Sequence, residues 1–227
     1  MTPSLTSETA RPPAASAAEQ TRAALLQAGL KLFGRQGFDG TSTREIARLA
    51  KANIGSIAYH FGGKEGLHAA CADFIVETIR KVTEPALAAD RPASAGDAEA
   101  RLAQALDRAV AFLVASPEAG DIAQFVMRQL AQPGAALDRI YAGVFEPTHR
   151  TLCALWEQAT GEPADSETTK LTVFTMIGQI VYFRIGREAV MRRMGWSDIT
   201  GPQAAAIAGV AKSNLAALLA ARKAGKT

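Results

Sequence analysis

The stretch AKANIGSIAYHFGGKEGL, residues 50–67, constrains the fold of this chain more than any other. One short helix is expected to end near Ala50. Asn53 is a favourable N-cap for a second, very short helix over 54–61, and two glycines then stop that helix. Only the three or four residues around KAN separate the two helices. This spacing predicts a helix-turn-helix.

The remaining sequence predicts an all-α protein. Valine and isoleucine are scattered along the chain instead of alternating, and no hairpin dipeptide lies between two strand-like runs. The helix that is expected to end near Ala50 should be capped by Ser42 or Thr43 and should bury Ile46, Leu49 and Ala50. Apolar spacing and Gly or Pro punctuation predict helices over 19–36, 43–50, 54–61, 64–83, 97–115, 121–131, 134–160, 165–194 and 202–223, with a kink or break in 134–160 at Pro147.

The composition predicts one sizeable core with a small appended module. Apolar residues make up 48% of the 227 residues, which excludes global disorder. Residues 1–17 are rich in Pro, Ser, Thr and Ala and predict a disordered arm. The helix-turn-helix unit is assigned to 18–65, and a larger helical regulatory and dimerisation domain to 66–227.

Targeting signals and cysteine chemistry are not expected. The first residues lack the basic start and apolar run of a secretory signal, and no run of about 18 apolar residues predicts a membrane span. Two cysteines, Cys71 and Cys153, form neither a disulfide framework nor a zinc site and are expected to be buried small hydrophobes. A thiol sensor has no support from the neighbouring sequence. A cytoplasmic location is therefore predicted.

The second short helix of such a unit lies in the DNA major groove and reads base edges with its first residues. A helix in that position must be slim, and Gly55, Ser56 and Ala58 are small. The Ser56 hydroxyl can bond to base edges or phosphate, and Ile54 or Ala58 can touch a thymine methyl. Ile57 is expected to face inward.

Phosphate contacts are predicted on both sides of this helix. Tyr59, His60 and Lys64 offer donors at its end, and Thr43 with Arg44 begins the preceding helix, whose free N–H groups suit a phosphate. Lys51 and Asn53 in the turn complete the predicted DNA-binding set. Between 20 and 64 the chain has seven basic and two acidic residues, a net charge of +5, whereas the whole chain carries +3. The basic excess therefore lies in the predicted DNA-binding module.

These residues resemble the N-terminal domain of the TetR family of bacterial transcription regulators. The resemblance covers about 50 residues, from TRAALLQAGLKLF to GGKEGLHAAC, and follows the family order of an apolar helix, GF-GTS-R-IA, a small-residue helix and an aromatic-His-Phe end. Lys51, where the family usually has glycine, and Ala58, where tyrosine is common, depart from the pattern. The segment FTMIGQIVYFRIGREAVMRRMGW, 174–196, resembles the branch with a CecR-like C-terminal domain.

The resemblance implies an all-α homodimer, with an N-terminal three-helix DNA-binding domain and a C-terminal helical ligand-binding and dimerisation domain. Helices near 165–194 and 202–223 of each subunit are expected to pair. A small-molecule effector in the C-terminal domain is expected to release the dimer from a palindromic operator on double-stranded DNA. Aromatic, methionine and polar side chains on mostly apolar helices are the candidates for the effector pocket: Phe125, Arg128, Phe145, His149, Met176, Gln179 and Arg184.

No cofactor, metal site or enzyme activity is predicted. Three widely spaced histidines have no metal-ligand spacing, and the chain lacks the GxxxxGK[ST], GxSxG and GxGxxG motifs. The alternative within DNA binding is a structural, nucleoid-type protein that has no effector. Broad, salt-dependent affinity with no preferred site favours that alternative.

Overall fold

The structure is a computed structural model, and it describes residues 16–85, 87 and 91–224. In those residues the chain is helical, with no β-strand. The elements are α1 (Ala17–Gln36), α2 (Thr43–Leu49), α3 (Gly55–Phe61), α4 (Lys64–Thr83), α5 (Ala95–Val110), α6 (Ala119–Ala131), α7 (Ala135–Ile140), α8 (Glu146–Thr160), α9 (Glu167–Ile185), α10 (Arg187–Met194) and α11 (Gly201–Ala224). Single π-helical turns at Ala111–Ala115 and Tyr141–Phe145 extend α5 and join α7 to α8.

Local sequence explains where the first helices begin and end. Ser16 and Ser42 each cap a helix, because each hydroxyl accepts from the N–H of a glutamate three residues later, and that glutamate bonds back to the cap N–H. Gly37 ends α1 with a φ of 79°. Ser16 opens α1, whereas residues 1–15 of the predicted arm lie outside the described residues.

Two predicted helices are divided in the structure. The segment 134–160 contains a π-helical turn at Tyr141–Phe145, and Pro147, where a kink or break was predicted, is the second residue of α8 directly after that turn. The segment 165–194 is divided at Gly186 into α9 and α10. Leu49 was expected to be buried but is 41% exposed, because α2 turns its Ile46 side toward the core.

The side chains form two hydrophobic cores. The first contains side chains of α1, α2, α3, α4, α6 and α7. The second contains side chains of α5, α8, α9 and α11. Gly34 permits close packing of α1 on α6, since a Cβ at that position would lie 3.0 Å from the backbone nitrogen of Phe125. The DNA-binding unit therefore shares its core with α6, and the domain boundary predicted between 65 and 66 falls in the first turn of α4.

Among the described residues, helix α11 has the length and mean hydropathy of a membrane span. The helical segments Ala95–Ala115 and Ala119–Ala131, which are bent relative to each other, reach that length and hydropathy only when they are taken together. Core helices of soluble proteins can have the same length and mean hydropathy. One side of α11 is buried in the second core, with Ala204, Ile207 and Leu215 among its buried residues. The absence of a membrane span stays a prediction.

Candidate nucleic-acid interface and regulatory cavities

Helix α3 presents a polar, small-residue side to solvent. Ile57 is only 2% exposed and anchors the helix in the first core. Gly55 and Tyr59, one helical turn apart, lie on the outer side, where Tyr59 is 82% exposed. Because Tyr59 is exposed, its ring contributes little to the hydrophobic core. This side of α3 is therefore available to a partner.

The turn before α3 is tight and is stabilised by local hydrogen bonds. Asn53 Oδ1 accepts from the Gly55 N–H at 2.8 Å, but the N-cap position of α3 is Ile54, which makes no side-chain capping bond, so the predicted N-cap at Asn53 is wrong by one residue. Lys51 has a φ of 53°, in the left-handed region that glycine occupies without strain. The chain therefore keeps the tight turn with a lysine in place of glycine, and Lys51 is exposed.

The end of α3 is bounded by two cations that lie against aromatic rings. The Lys64 ammonium lies 4.3 Å from the centroid of the Phe38 ring, and the Arg22 guanidinium lies 5.2 Å from that of Phe61. These contacts hold the charges close to the surface of the module instead of leaving them on free side chains. His60 is half-buried, and its ring is 4.9 Å from that of Tyr59.

The remaining predicted DNA contacts differ in exposure. Arg44 is exposed in the first turn of α2, and Thr43 beside it is half-buried. Ser56 is half-buried early on α3. The full predicted set consists of Thr43, Arg44, Lys51, Asn53, Gly55, Ser56, Tyr59, His60 and Lys64, and the structure places all of it on α2, α3, their connecting turn and the start of α4.

The seven predicted pocket residues do not line one cavity. Phe125 is fully buried in the first core, and Phe145 packs against that core. Gln179 Oε1 accepts from Asn214 Nδ2 at 3.0 Å and so links α9 to α11. Met176 lines a small apolar cavity of about 70 Å³ between α5, α8, α9 and α11. For these residues an effector contact remains only a prediction.

His149 belongs to a local cluster in the second half of the chain. Its Nε2 lies 3.1 Å from the carbonyl oxygen of Lys170, its Nδ1 lies 3.7 Å from Cys153 Sγ, and its ring centroid lies 4.0 Å from that of Phe174. Burial raises the pKa of the Cys153 thiol. It also raises the pKa of the Cys71 thiol, which holds Cys71 as a neutral core side chain.

Arg128 and Arg184 line a larger open groove of about 680 Å³. The groove runs along α6 between the C-terminal end of α1 and the end of α9. Arg128 donates to the carbonyl oxygen of Arg35, and Arg184 donates to those of Leu113 and Ser116. The lining consists of Gly34, Arg35, Gly120, Ala123, Gln124, Met127, Arg128, Ala131, Arg184 and Ile185.

Comparison with known proteins decides the family. Residues 98–222 match the model for the HTH-type transcriptional dual regulator CecR, C-terminal domain, and residues 25–71 match that for bacterial regulatory proteins of the tetR family. The chain is 35% identical over 186 residues to the HTH-type transcriptional dual regulator CecR of Shigella flexneri, and the match covers 79% of this chain and 82% of the relative. The chain belongs to the TetR family.

Other proteins match less of the sequence or only the fold. The regulatory protein RaaS of Mycobacterium tuberculosis is 41% identical over 70 residues, about a third of each chain. AibR, solved with isovaleryl coenzyme A and operator DNA, has a TM-score of 0.63 at 16% identity, with 84% of this chain and 96% of AibR covered. A TetR-like transcriptional regulator from Rhodococcus sp. RHA1 has a TM-score of 0.61 at 19% identity, with 91% and 99% covered.

The TetR assignment confirms the predicted family, the CecR-type branch and the all-α fold with its N-terminal helix-turn-helix. The relatives are named as transcriptional regulators, and none of those described above is named as an enzyme. Sequence reasoning missed the position of Arg35 at the groove and the close approach of Gly66 to Phe61. Both depend on how α1 crosses α6 and how α3 meets α4, which helical periodicity does not show.

Proposed function

We propose that this TetR-family protein is a ligand-responsive regulator of transcription that binds a palindromic operator as a homodimer. In this proposal it acts as a repressor in the bacterial cytoplasm, and a small-molecule effector releases it from DNA. The observation that carries the DNA-binding part is the outer side of α3. Buried Ile57 fixes the helix, whereas small Gly55 and exposed Tyr59 face outward.

Exposed apolar side chains on α9 and α11 support the homodimer. Leu171 and Phe174 are 56% and 60% exposed on α9, and Val210 is 62% exposed near the middle of α11. Gly178 and Gly209, on the same two helices, have open space where a Cβ would be, so another helix can approach closely there. Large apolar side chains beside small residues suit a two-fold contact between identical helices.

The contact between the DNA-binding module and α6 supports a response to ligands. Arg128 Nη2 donates to the carbonyl oxygen of Arg35 at 2.8 Å, and Gln129 Nε2 lies 3.5 Å from His68 Nε2. A ligand that shifts α6 therefore acts on α1 and α4 directly. AibR, which has the same fold, was solved with isovaleryl coenzyme A and operator DNA, so a protein of this fold can bind both kinds of molecule.

Selection of binding sites from random duplex DNA tests the proposal. We expect a two-fold symmetric site with half-sites about one helical turn apart, or a multiple of that spacing. Ser56→Ala should change the preferred bases, because Ser56 lies early on α3. A nucleoid-type protein would instead bind all duplexes with similar affinity, and that result would refute a sequence-specific regulator.

Lys64→Ala tests the phosphate contacts separately from base recognition. We expect weaker binding to every duplex and a salt slope smaller by about one phosphate contact. Lys81→Ala is the matched control, since Lys81 is an exposed lysine at the far end of the same helix. An unchanged salt slope in Lys64→Ala would assign Lys64 only to its contact with Phe38.

A further inference from the structure

The groove along α6 joins the DNA-binding module to the regulatory domain. Arg35 comes from the last turn of α1, Arg128 from α6 and Arg184 from the last turn of α9. Its volume of about 680 Å³ is in the range of small-molecule sites, whereas the apolar cavity beside Met176 has only about 70 Å³. Of these two cavities in the described residues, the groove is the one with room for an organic ligand of ordinary size.

The charge of the groove is positive and is not neutralised within its lining. Three arginines line it, and the part of the lining that the structure describes includes no Asp or Glu. Arg128 and Arg184 hydrogen-bond to neutral backbone carbonyls, which orient the guanidinium groups but leave their charge uncompensated. Each guanidinium has five N–H donors, so donors remain for a ligand.

The arginines lie toward two ends of the groove. A Cβ at Gly120 would lie 3.7 Å from Arg184 Nη1, which places that guanidinium beside the first turn of α6. Arg128 lies eight residues further along the helix, or about 12 Å at 1.5 Å per residue, and bonds to Arg35 there. Between them the groove is lined by Ala123 and Met127.

We propose that this groove binds an elongated organic dianion, with one acidic group at Arg184, the other at Arg35 and Arg128, and an aliphatic body over Ala123 and Met127. Arginine forks suit carboxylate or phosphate groups at both ends. A ligand in this position connects α1 to α9 across α6. The inference rests on the proposed function for its consequence, which is that such a dianion is the class of effector that changes operator affinity.

Titration calorimetry of the full-length protein with decanedioate tests the site, because the extended length of this dicarboxylate is close to the rise of α6 between Gly120 and Arg128. We expect saturable binding to one site per chain. Decanoate, which has one carboxylate, should bind at least about tenfold more weakly, and decanediol should show no binding. Equal affinity for decanoate and decanedioate would overturn the dianion assignment.

Two variants locate the site by different means. Arg35→Gln removes one charge from the groove, and Ala123→Leu fills its floor without changing charge, so each should weaken decanedioate binding at least about tenfold. Arg80→Gln and Ala154→Leu are the controls, since both residues are exposed on helices outside the groove lining. Unchanged affinity in both groove variants would overturn the proposal.

The two proposals fail in distinguishable ways, since calorimetry needs no DNA. If decanedioate binds in the groove but no two-fold site is selected from random duplexes, the proposed function fails and the ligand site stands. If a specific operator is found and another small molecule releases it, while decanedioate does not bind, the groove proposal fails alone. Binding in the groove with unchanged operator affinity would refute the regulatory consequence.

Discussion

Arg128 Nη2 donates a hydrogen bond of 2.8 Å to the backbone carbonyl oxygen of Arg35. The acceptor is in the last turn of α1, where helix carbonyls have no partner within the helix. The donor comes from α6, so a side chain of the regulatory domain caps a helix of the DNA-binding module. This bond adds to the close packing of Gly34 on Phe125 and joins the two parts of the chain.

We expect Arg128→Ala to lower the free energy of unfolding by about 1–2 kcal/mol, because removal of the charged donor leaves the carbonyl oxygen at the end of α1 without its partner. Urea denaturation measures the change. Arg139→Ala is the control: Arg139 forms an exposed ion pair with Asp73, and such pairs contribute about 0.5 kcal/mol. Equal losses in the two variants would contradict a specific capping role for Arg128.

Gly66→Ala should disturb the junction between α3 and α4. A Cβ at Gly66 would lie 1.7 Å from the carbonyl oxygen of Phe61, and a backbone atom cannot move aside as a flexible side chain can. We expect a loss of at least about 2 kcal/mol in stability, measured by thermal or urea unfolding. Gly96→Ala, whose Cβ would meet only Ser94 Oγ at 3.7 Å, should be neutral or slightly stabilising.

Replacement of Lys51 separates backbone strain from charge. Lys51→Gly should raise the free energy of unfolding by about 1 kcal/mol, because glycine adopts the left-handed conformation at no steric cost. Lys51→Ala keeps the strain and removes only the charge. Both variants should weaken DNA binding and reduce its salt slope if Lys51 contacts a phosphate. Equal stability of the glycine and alanine variants would argue against strain at this position.

His68 makes the stability of the DNA-binding module depend on pH. Its ring packs among Phe33, Phe38 and Phe125, with centroid distances of 4.8, 5.1 and 5.1 Å. Burial and, to a smaller extent, the charge of Lys64 lower the pKa of His68 below its ordinary value of 6.5. As the pH falls, His68 therefore takes up a proton in the unfolded chain before it does so in the folded chain. The free energy of unfolding that His68 contributes above pH 6.5 is lost as the pH falls below that value.

Urea denaturation at about pH 7.5 and about pH 5 measures the effect of His68 in a range where carboxylates stay ionised. The wild-type chain should be less stable at the lower pH. His68→Phe keeps a ring in the same place but cannot take up a proton, so its stability should change less over this interval. An identical pH dependence in the two proteins would assign the effect to other groups.

Val210→Asp should dissociate the proposed homodimer. The side chain is 62% exposed on α11, where a second copy would bury it, and an unpaired carboxylate in an apolar interface is costly. Analytical ultracentrifugation should show a monomer. Met194→Asp is the matched control, since Met194 is 55% exposed on α10, outside the proposed contact. A dimer that persists in Val210→Asp would place the interface elsewhere.

Much of the DNA-binding module could be predicted from sequence because its determinants are local. Apolar spacing, a Ser42 cap and the glycines after Phe61 specify short helices through contacts within a few residues. Errors also occurred at this level. Leu49 fits the apolar periodicity of α2 but is exposed, because one turn of helix has several sides and only its packing partners select the buried one.

The candidate regulatory sites could not be predicted in the same way. Polar residues on apolar helices indicated Arg128 and Arg184 individually, but Gln179 had the same signal and is hydrogen-bonded to Asn214 of α11. Whether a buried or half-buried polar group faces a cavity or a neighbouring helix depends on contacts between residues far apart in the chain. Arg35 and Arg184 illustrate this, since they line one groove although they lie far apart in the sequence, on α1 and α9.

The sequence alone determined the all-α fold and the helix-turn-helix, because helix caps, turns and apolar periodicity act over a few residues. The family followed from the resemblance of residues 21–71 to the TetR pattern. Tertiary structure decided which core each helix joins, which side of α2 is buried and which arginines share a groove. The shared groove depends on the crossing of α1 over α6, where Gly34 allows the backbones to approach closely. Packing between distant segments sets such crossings, and no local pattern encodes them.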